Sequence, residues 1–80
     1  MKVVVTVVGQ DKVGIIAKVS TILAENEVNI VDVNQNIVDG FFNMVLIADM
    51  SNSKIPLNEL QGLLKELGDA LTLQIKAQHE

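Results

Sequence analysis

The chain has 80 residues, no cysteine and a formal charge of −4, and 49% of its residues are hydrophobic. This composition excludes a disordered chain, a disulfide scaffold and a thiolate metal site, and the length allows one domain, residues 1–80, with one core. All the basic residues are lysines scattered along the chain, so neither nucleic acid nor an anionic membrane is an expected partner. The N-terminal apolar run is too short for a signal peptide or a membrane span, and we expect a cytoplasmic protein.

The first half of the chain predicts a strand, a helix and a β-hairpin. Residues 2–8 are almost all β-branched and predict a strand that is buried on both faces. Apolar residues recur at helical spacing over residues 13–25, which predicts a helix. Asp39-Gly40 separates residues 29–38 from residues 41–50 and suits a type I′ turn, in which both central residues take positive φ, so these two segments are predicted antiparallel strands.

The second half predicts a helix and a last strand. Pro56 stands where the first turn of a helix favours proline. The apolar stripe of that helix consists of Leu57, Leu60, Leu63, Leu64 and Leu67. Gly68 is predicted to end the helix as the residue after its C-cap. Apolar and polar residues then alternate over residues 70–78, which predicts a half-buried strand.

The order of these elements, βαββαβ, predicts an α+β fold of the ferredoxin-like class. Its four-stranded antiparallel sheet carries both helices on one face. The other face is expected to carry Phe41, Asn43, Val45 and Ile47, together with valines of the first strand. Because an apolar exposed face of this kind marks an interface, we expect a homodimer or a higher homo-oligomer.

The titratable residues do not form a recognisable catalytic or metal-binding pattern. His79 lies one residue from the C-terminus and has only Glu80 as an acidic neighbour, which favours a solvated side chain over a general base. Asp32, Asn34 and Asn36 share one face of a strand, but one carboxylate is too few for a calcium or magnesium site. We therefore expect no enzyme, no catalytic residue, no metal and no cofactor.

The turn at residues 9–15 and the strand start at residues 28–30 remain as candidates for a binding site. The turn leads into a helix N-terminus, where unpaired N–H groups favour a carboxylate and Gly14 allows close approach. We expect the Asn29 amide near the same end of the fold, where it would match the charged groups of a free amino acid. The alternative is structural: Asp11 caps the helix, Gly14 eases packing and Asn29 makes a turn.

Four segments also carry a family pattern. In chain order they read G-x-D-K-V-G-I-I-A-K-V-S-x-x-L-A, V-N-I-V-D-V, D-G-F-F and I-P-L-x-E-L. This pattern resembles the ACT domains, which are amino-acid-sensing modules of metabolic enzymes and regulators, over essentially the whole chain. It is most similar to the small stand-alone members of the family and to the glycine-cleavage regulators.

The resemblance implies an allosteric regulatory module with a ligand pocket between two domains. The pocket residues that it implies are Asp11, Lys12, Val13, Gly14, Ile15, Asn29 and Ile30. Val13 departs from the family's common D-x-P-G by replacing the proline. Two hypotheses follow: an amino-acid-binding regulatory module that acts as a homo-oligomer, or an assembly module with the same fold that binds no ligand.

Overall fold

The computed structural model describes residues 1–80 and confirms the predicted order of elements. They are β1 (Lys2–Gln10), α1 (Ile15–Glu25), β2 (Asn29–Val38), β3 (Phe41–Asp49), α2 (Leu57–Leu71) and β4 (Leu73–His79). The strands form one sheet in the order β2-β3-β1-β4, and all three pairings are antiparallel. This is the ferredoxin-like arrangement. Neither helix combines the length and the apolar character that a membrane span requires.

The core lies between the sheet and the two helices. Alternate side chains of β1, β3 and β4 point toward the helices, because successive residues of a strand face opposite sides. The buried sheet residues are Val3, Val5, Val7, Phe42, Met44, Leu46, Ala48, Leu73, Ile75 and Ala77. The helices bury Ile15, Val19, Leu23, Leu60 and Leu64 against them. Val4 and Val8 remain half-exposed on the other face, so the prediction that β1 is buried on both faces is wrong for a single chain.

The hairpin between β2 and β3 has the predicted turn. Asp39 and Gly40 take φ values of 52° and 76°, which is the positive-φ pair that a type I′ turn requires. Val38 stands directly opposite Phe41. Further along β2 the register shifts between Ile30 and Asp32, which marks a β-bulge at the start of this strand.

The end of α2 differs from the prediction. The helix continues through Gly68 to Leu71 and ends at Thr72, which takes the left-handed conformation with φ 57°. Gly68 is buried, and a Cβ atom there would lie only 2.7 Å from the carbonyl oxygen of Leu73. Glycine is therefore required for close packing of α2 against β4 rather than for ending the helix.

Candidate functional site

The first turn of α1 leaves its backbone donors without partners. Gly14 precedes the helix with φ 90°, and no side chain caps this end. Its carbonyl oxygen accepts the first helical hydrogen bond, from the backbone N–H of Lys18 at 2.9 Å. The N–H groups of Ile15, Ile16 and Ala17 have no acceptor within the chain. Unpaired donors at a helix N-terminus favour an anionic group.

The structural roles expected as the alternative for Asp11 and Gly14 are wrong. The Asp11 side chain does not cap the helix; instead its backbone N–H donates to the Gly40 carbonyl oxygen at 2.8 Å, which ties the loop to the hairpin turn. A Cβ atom at Gly14 would meet only the Lys18 side chain, at 3.7 Å. Gly14 is therefore needed for its positive φ and not for packing.

A cavity of about 270 Å³ lies in front of this helix end, between α1 and β2. It brings together four of the seven predicted site residues, Asp11, Lys12, Gly14 and Ile15. Its other lining residues are Ile16, Ala17, Gln35, Ile37 and Phe42. Val13 does not line it and is 99% exposed, so the structure separates this residue from its neighbours in the loop.

Asn29 and Ile30 lie at the opposite end of the sheet. Asn29 stands opposite Asp49, whereas Gln10, which leads into the first loop, stands opposite Phe41. The separation along the sheet, eight residues of β3 at roughly 3.3 Å each, is therefore about 26 Å. The prediction that the Asn29 amide reaches the Gly14 turn of the same chain is wrong. The reason is strand direction: β1 and β2 are both antiparallel to β3, so both strands start at the same end.

The groove that contains Asn29 and Ile30 has a volume of about 680 Å³. The Asp49 side chain in this groove is held by two hydrogen bonds. Its Oδ1 accepts from the Ser51 hydroxyl at 2.6 Å and from the Ser51 backbone N–H at 2.9 Å. These two bonds, the hydroxyl first, lower the pKa of the Asp49 carboxyl below its ordinary value. The carboxylate beside Asn29 is thus held in its charged form. Asn29 itself begins β2 and does not form the turn that the structural alternative expected.

Gln35, Ile37 and Phe42 are cavity residues that the sequence analysis missed. The predicted strand pairing could have identified them. The Asp39-Gly40 turn sets the end of β2 beside the start of β3, and the antiparallel pairing of β3 with β1 brings both to the first loop. Gln35 is also the one polar residue between Val33 and Ile37 on the helix-facing side of β2. No group of three or more acidic or histidine side chains in the chain is placed to hold a metal ion.

The comparison with known families agrees with the fold. The family model described as "ACT domain" matches residues 2–78. The chain belongs to the ACT-domain family. A relative from Clostridium perfringens, a UPF0237 protein, is 49% identical over 80 residues, which is 100% of this chain and 90% of that protein.

Two solved structures place this ACT domain among similar folds. An ACT domain protein from Streptococcus pneumoniae superimposes with a TM-score of 0.84 at 37% identity, over 98% of this chain and 88% of that one. The regulatory subunit of aspartate kinase from Thermus thermophilus has a TM-score of 0.73 at 19% identity, over 96% of this chain and 50% of that one. At that identity the second likeness concerns the fold alone.

Proposed function

We propose that this ACT domain is a non-catalytic regulatory module that binds a free amino acid between two copies of itself. The observation that carries the proposal is the open edge of β2. The cavity in front of α1, which we call the first-loop cavity, lies at one end of this edge, and Asn29 lies at the other. The absence of cysteine favours a reducing compartment, and we expect the module to act in the cytoplasm.

The edge of β2 is suited to strand pairing. Every residue of this strand except Ile30 is exposed, and no side chain or loop bonds to its backbone. An unpaired row of N–H and C=O groups favours a second strand. If two β2 strands pair antiparallel about a two-fold axis, Asn29 of one copy lies near Val38 of the other. The Asn29 amide then lies beside the first-loop cavity of the second copy, so two separated groups form one site.

Each part of this composite site has a role in binding an amino acid. The free N–H groups at the start of α1 favour the ligand carboxylate, and Lys12 adds a positive charge. The Asn29 amide of the second copy and the Asp11 carboxylate offer acceptors for the ammonium group. Ile37 and Phe42 provide an apolar wall for the ligand side chain. The volume of about 270 Å³ is sufficient for a free amino acid.

The second candidate is an assembly module that binds no ligand. The open edge of β2 favours it equally, because backbone pairing needs nothing in the loop cavity. Both candidates predict a homo-oligomer, so oligomeric state alone does not separate them. A change in stability on adding a ligand separates the two candidates.

Thermal melting in the presence of single amino acids tests the proposal. A ligand at a hundred times its Kd adds about 2.7 kcal/mol to stability, which raises the Tm of a domain this small by about 10 °C or more. We expect one or a few amino acids to produce this shift and their D-enantiomers not to. Flat melts across all proteinogenic amino acids would contradict the sensing role and leave the assembly module.

A further inference from the structure

A row of short polar side chains runs along β2 on the face of the sheet that the helices leave open. Asp32, Asn34 and Asn36 point to this face, and Asn43 of β3 stands directly opposite Asn36. Together with two apolar residues of β3 they line a groove of about 430 Å³, which we call the amide groove. Its complete lining is Asp32, Asn34, Asn36, Asn43, Val45 and Ile47. The proposed binding of an amino acid uses none of these residues.

The need for a solvated surface does not explain the residue types of this row. Asn and Asp are depleted in strands, yet they occupy three consecutive outward positions of β2. On the other edge strand, β4, the same open face carries Gln74, Lys76 and Gln78, whose long side chains keep a strand in contact with water. Short amides held close to the backbone have fewer rotamers to lose when a ligand binds. The row on β2 is therefore better suited to binding than to solvation.

The fold does not use the amides of the groove. Asn34, Asn36 and Asn43 make no side-chain hydrogen bond within the chain. By contrast, the Asn26 side-chain amide donates to the Ile22 carbonyl oxygen at 2.8 Å at the end of α1. Each free amide offers two donors and one acceptor oxygen. The amide groove therefore presents hydrogen-bonding groups of both kinds to a ligand.

The amide groove is longer than one ring and matches two linked rings. Asp32, Asn34 and Asn36 follow each other at about 6.7 Å along β2, so the row extends over about 13 Å. Asn36 and Asn43 face each other across the strands, with Cβ atoms about 5 Å apart. The groove therefore has a carboxylate at one end and a pair of amides at the other. Val45, which is 46% exposed, stands opposite Asn34 and provides an apolar surface between the two ends.

The carboxylate end selects an uncharged ligand with hydroxyl groups. Asp32 is the one charged residue of the groove, and no lysine lines it. A phosphate group here would meet a negative charge with no cation to offset it. A carboxylate only accepts hydrogen bonds, and acidic side chains bond ribose hydroxyls in this way in dinucleotide-binding folds. Two adjacent hydroxyl groups, as in an unphosphorylated ribose, donate to its two oxygens.

We propose that the amide groove binds an unphosphorylated nucleoside. Asp32 accepts hydrogen bonds from the ribose 2′ and 3′ hydroxyls at one end. The Asn36 and Asn43 amides bond the edge of the base at the other, because an Asn amide pairs with a donor and an acceptor that are neighbours, as it does with adenine. The site consists of one chain and lies on the opposite face of the sheet from the first-loop cavity, so it is separate from the proposed amino-acid site.

The side-chain NH₂ signals of the three asparagines report on this site in two-dimensional NMR spectra. The probes are adenosine, guanosine, cytidine and uridine, each added alone at millimolar concentration. We expect at least one of them to shift the signals of Asn34, Asn36 and Asn43. Its 2′-deoxy form lacks a hydrogen bond to the Asp32 carboxylate and should bind about tenfold more weakly. Its 3′-monophosphate should also bind more weakly, because the phosphate is repelled by the same carboxylate.

Asp32→Asn and Asn36→Thr test the two ends of the groove. Each removes hydrogen bonds to the ligand and should weaken binding about tenfold. Threonine favours a strand, so the second variant keeps the fold. Gln74→Thr is the matched control: it makes a similar change on the same open face but outside the groove, and the affinity should not change.

Three results would overturn the nucleoside site. They are the absence of any shift in the asparagine signals with all four probes, an unchanged affinity in Asp32→Asn and Asn36→Thr, and equal binding of the 2′-deoxy form. Neither substituted residue lines the first-loop cavity, so the amino-acid-induced rise in Tm should persist in both variants. The failure of this inference is therefore distinguishable from the failure of the proposed function.

Discussion

The two edges of the sheet are built differently. At one edge, α2 lies against β4, and the Gln61 side-chain amide donates to the Ala77 carbonyl oxygen at 2.7 Å. At the other edge, β2 is ten residues long and its helix-facing residues Val33 and Ile37 are 45% and 46% exposed. The fold therefore covers the edge strand β4 with a helix and leaves the backbone of the edge strand β2 free to pair with another strand.

The difference comes from where the helices lie. Gly68 lets α2 approach the start of β4 closely, so the helix-facing side chains of β4 are buried. α1 approaches the backbone of β2 at far fewer positions than α2 approaches β4, and the helix-facing side chains of β2 stay in contact with solvent. Because natural sheets generally protect their edges, an edge left open along ten residues indicates a position for a partner.

The largest expected effect distinguishes the residues of β2 that hydrogen-bond to β3 from those whose N–H groups face the open edge. Val38 and Phe41 flank a two-residue turn and exchange hydrogen bonds, so Asn34 and Asn36 bond to β3 while the N–H groups of Val33 and Gln35 point to the open edge. Asn34→Pro removes a sheet hydrogen bond and leaves its acceptor on β3 without a partner, which should cost about 1–3 kcal/mol of unfolding free energy. Val33→Pro removes a donor that faces the open edge and that would pair only with a second copy.

Chemical denaturation and sedimentation together check this pair. Val33→Pro should keep the fold of the chain and lower the mass in solution, whereas Asn34→Pro should unfold at much lower denaturant concentration. Equal destabilisation by both substitutions, or an unchanged mass for Val33→Pro, would show that the edge of β2 is not an interface.

The next effect concerns the ligand at the open edge. Asn29→Ala removes the amide that bonds a charged end of the ligand in the proposed composite site, and such a bond is worth about 1.5–3 kcal/mol. The rise in Tm caused by the bound amino acid should therefore largely disappear while the mass stays the same. Asn58→Ala, on the exposed side of α2, is the control and should keep the full response. An unchanged response in Asn29→Ala would exclude the composite site.

Two glycines of α2 test the covered edge. Gly68→Ala places a Cβ atom 2.7 Å from the Leu73 carbonyl oxygen and should destabilise the protein by about 1–3 kcal/mol through overpacking. Gly62→Ala meets nothing within 4 Å and should stabilise it by up to about 1 kcal/mol, because alanine favours the helix. Thermal melts of both variants are the measurement. A stabilising Gly68→Ala would mean that α2 does not approach β4 as closely as described.

The smallest effect lies at the Asn29 end of the open edge. Ser51→Ala removes the stronger of the two hydrogen bonds to Asp49, so the pKa of the Asp49 carboxyl should rise toward its ordinary value. A carboxyl whose pKa is lowered by folding stabilises the fold above its ordinary pKa, and this contribution disappears as the pH falls through the lowered value. The variant should therefore be slightly less stable than the unmodified protein at neutral pH, with the difference vanishing in acid. An NMR titration of Asp49 measures the shift, and an unaltered titration would contradict the assignment.

The elements and the hairpin turn follow from local sequence, because their signals lie within a few residues. The positive φ that a type I′ turn requires accounts for Asp39-Gly40 directly. Gly68 shows the limit of this reasoning: a glycine after a leucine stripe looks the same whether it ends the helix or lets the helix approach a strand. Only the position of Leu73 in space distinguishes the two.

The candidate site was only half predictable for a related reason. Asp11 and Gly14 share a loop, so their proximity is a local property that the motif conveys. The position of Asn29 depends on the relative direction of β1 and β2, which is set by their common partner β3. The contact between Gln61 and Ala77 likewise joins residues sixteen positions apart, and no local pattern indicates it.

The hydrogen bond from Gln61 to Ala77 has a consequence for how far an assembly can grow. A sheet with two equally open edges can add copies head to tail without limit, which leads to fibres. Here one edge strand is seven residues long, lies against a helix and has a backbone acceptor already occupied. If two copies pair through β2, each presents its β4 edge to a third copy, and the occupied Ala77 carbonyl oxygen disfavours further strand pairing there. On the proposed pairing through β2, Gln61 is the side chain that hinders the addition of a third copy at β4.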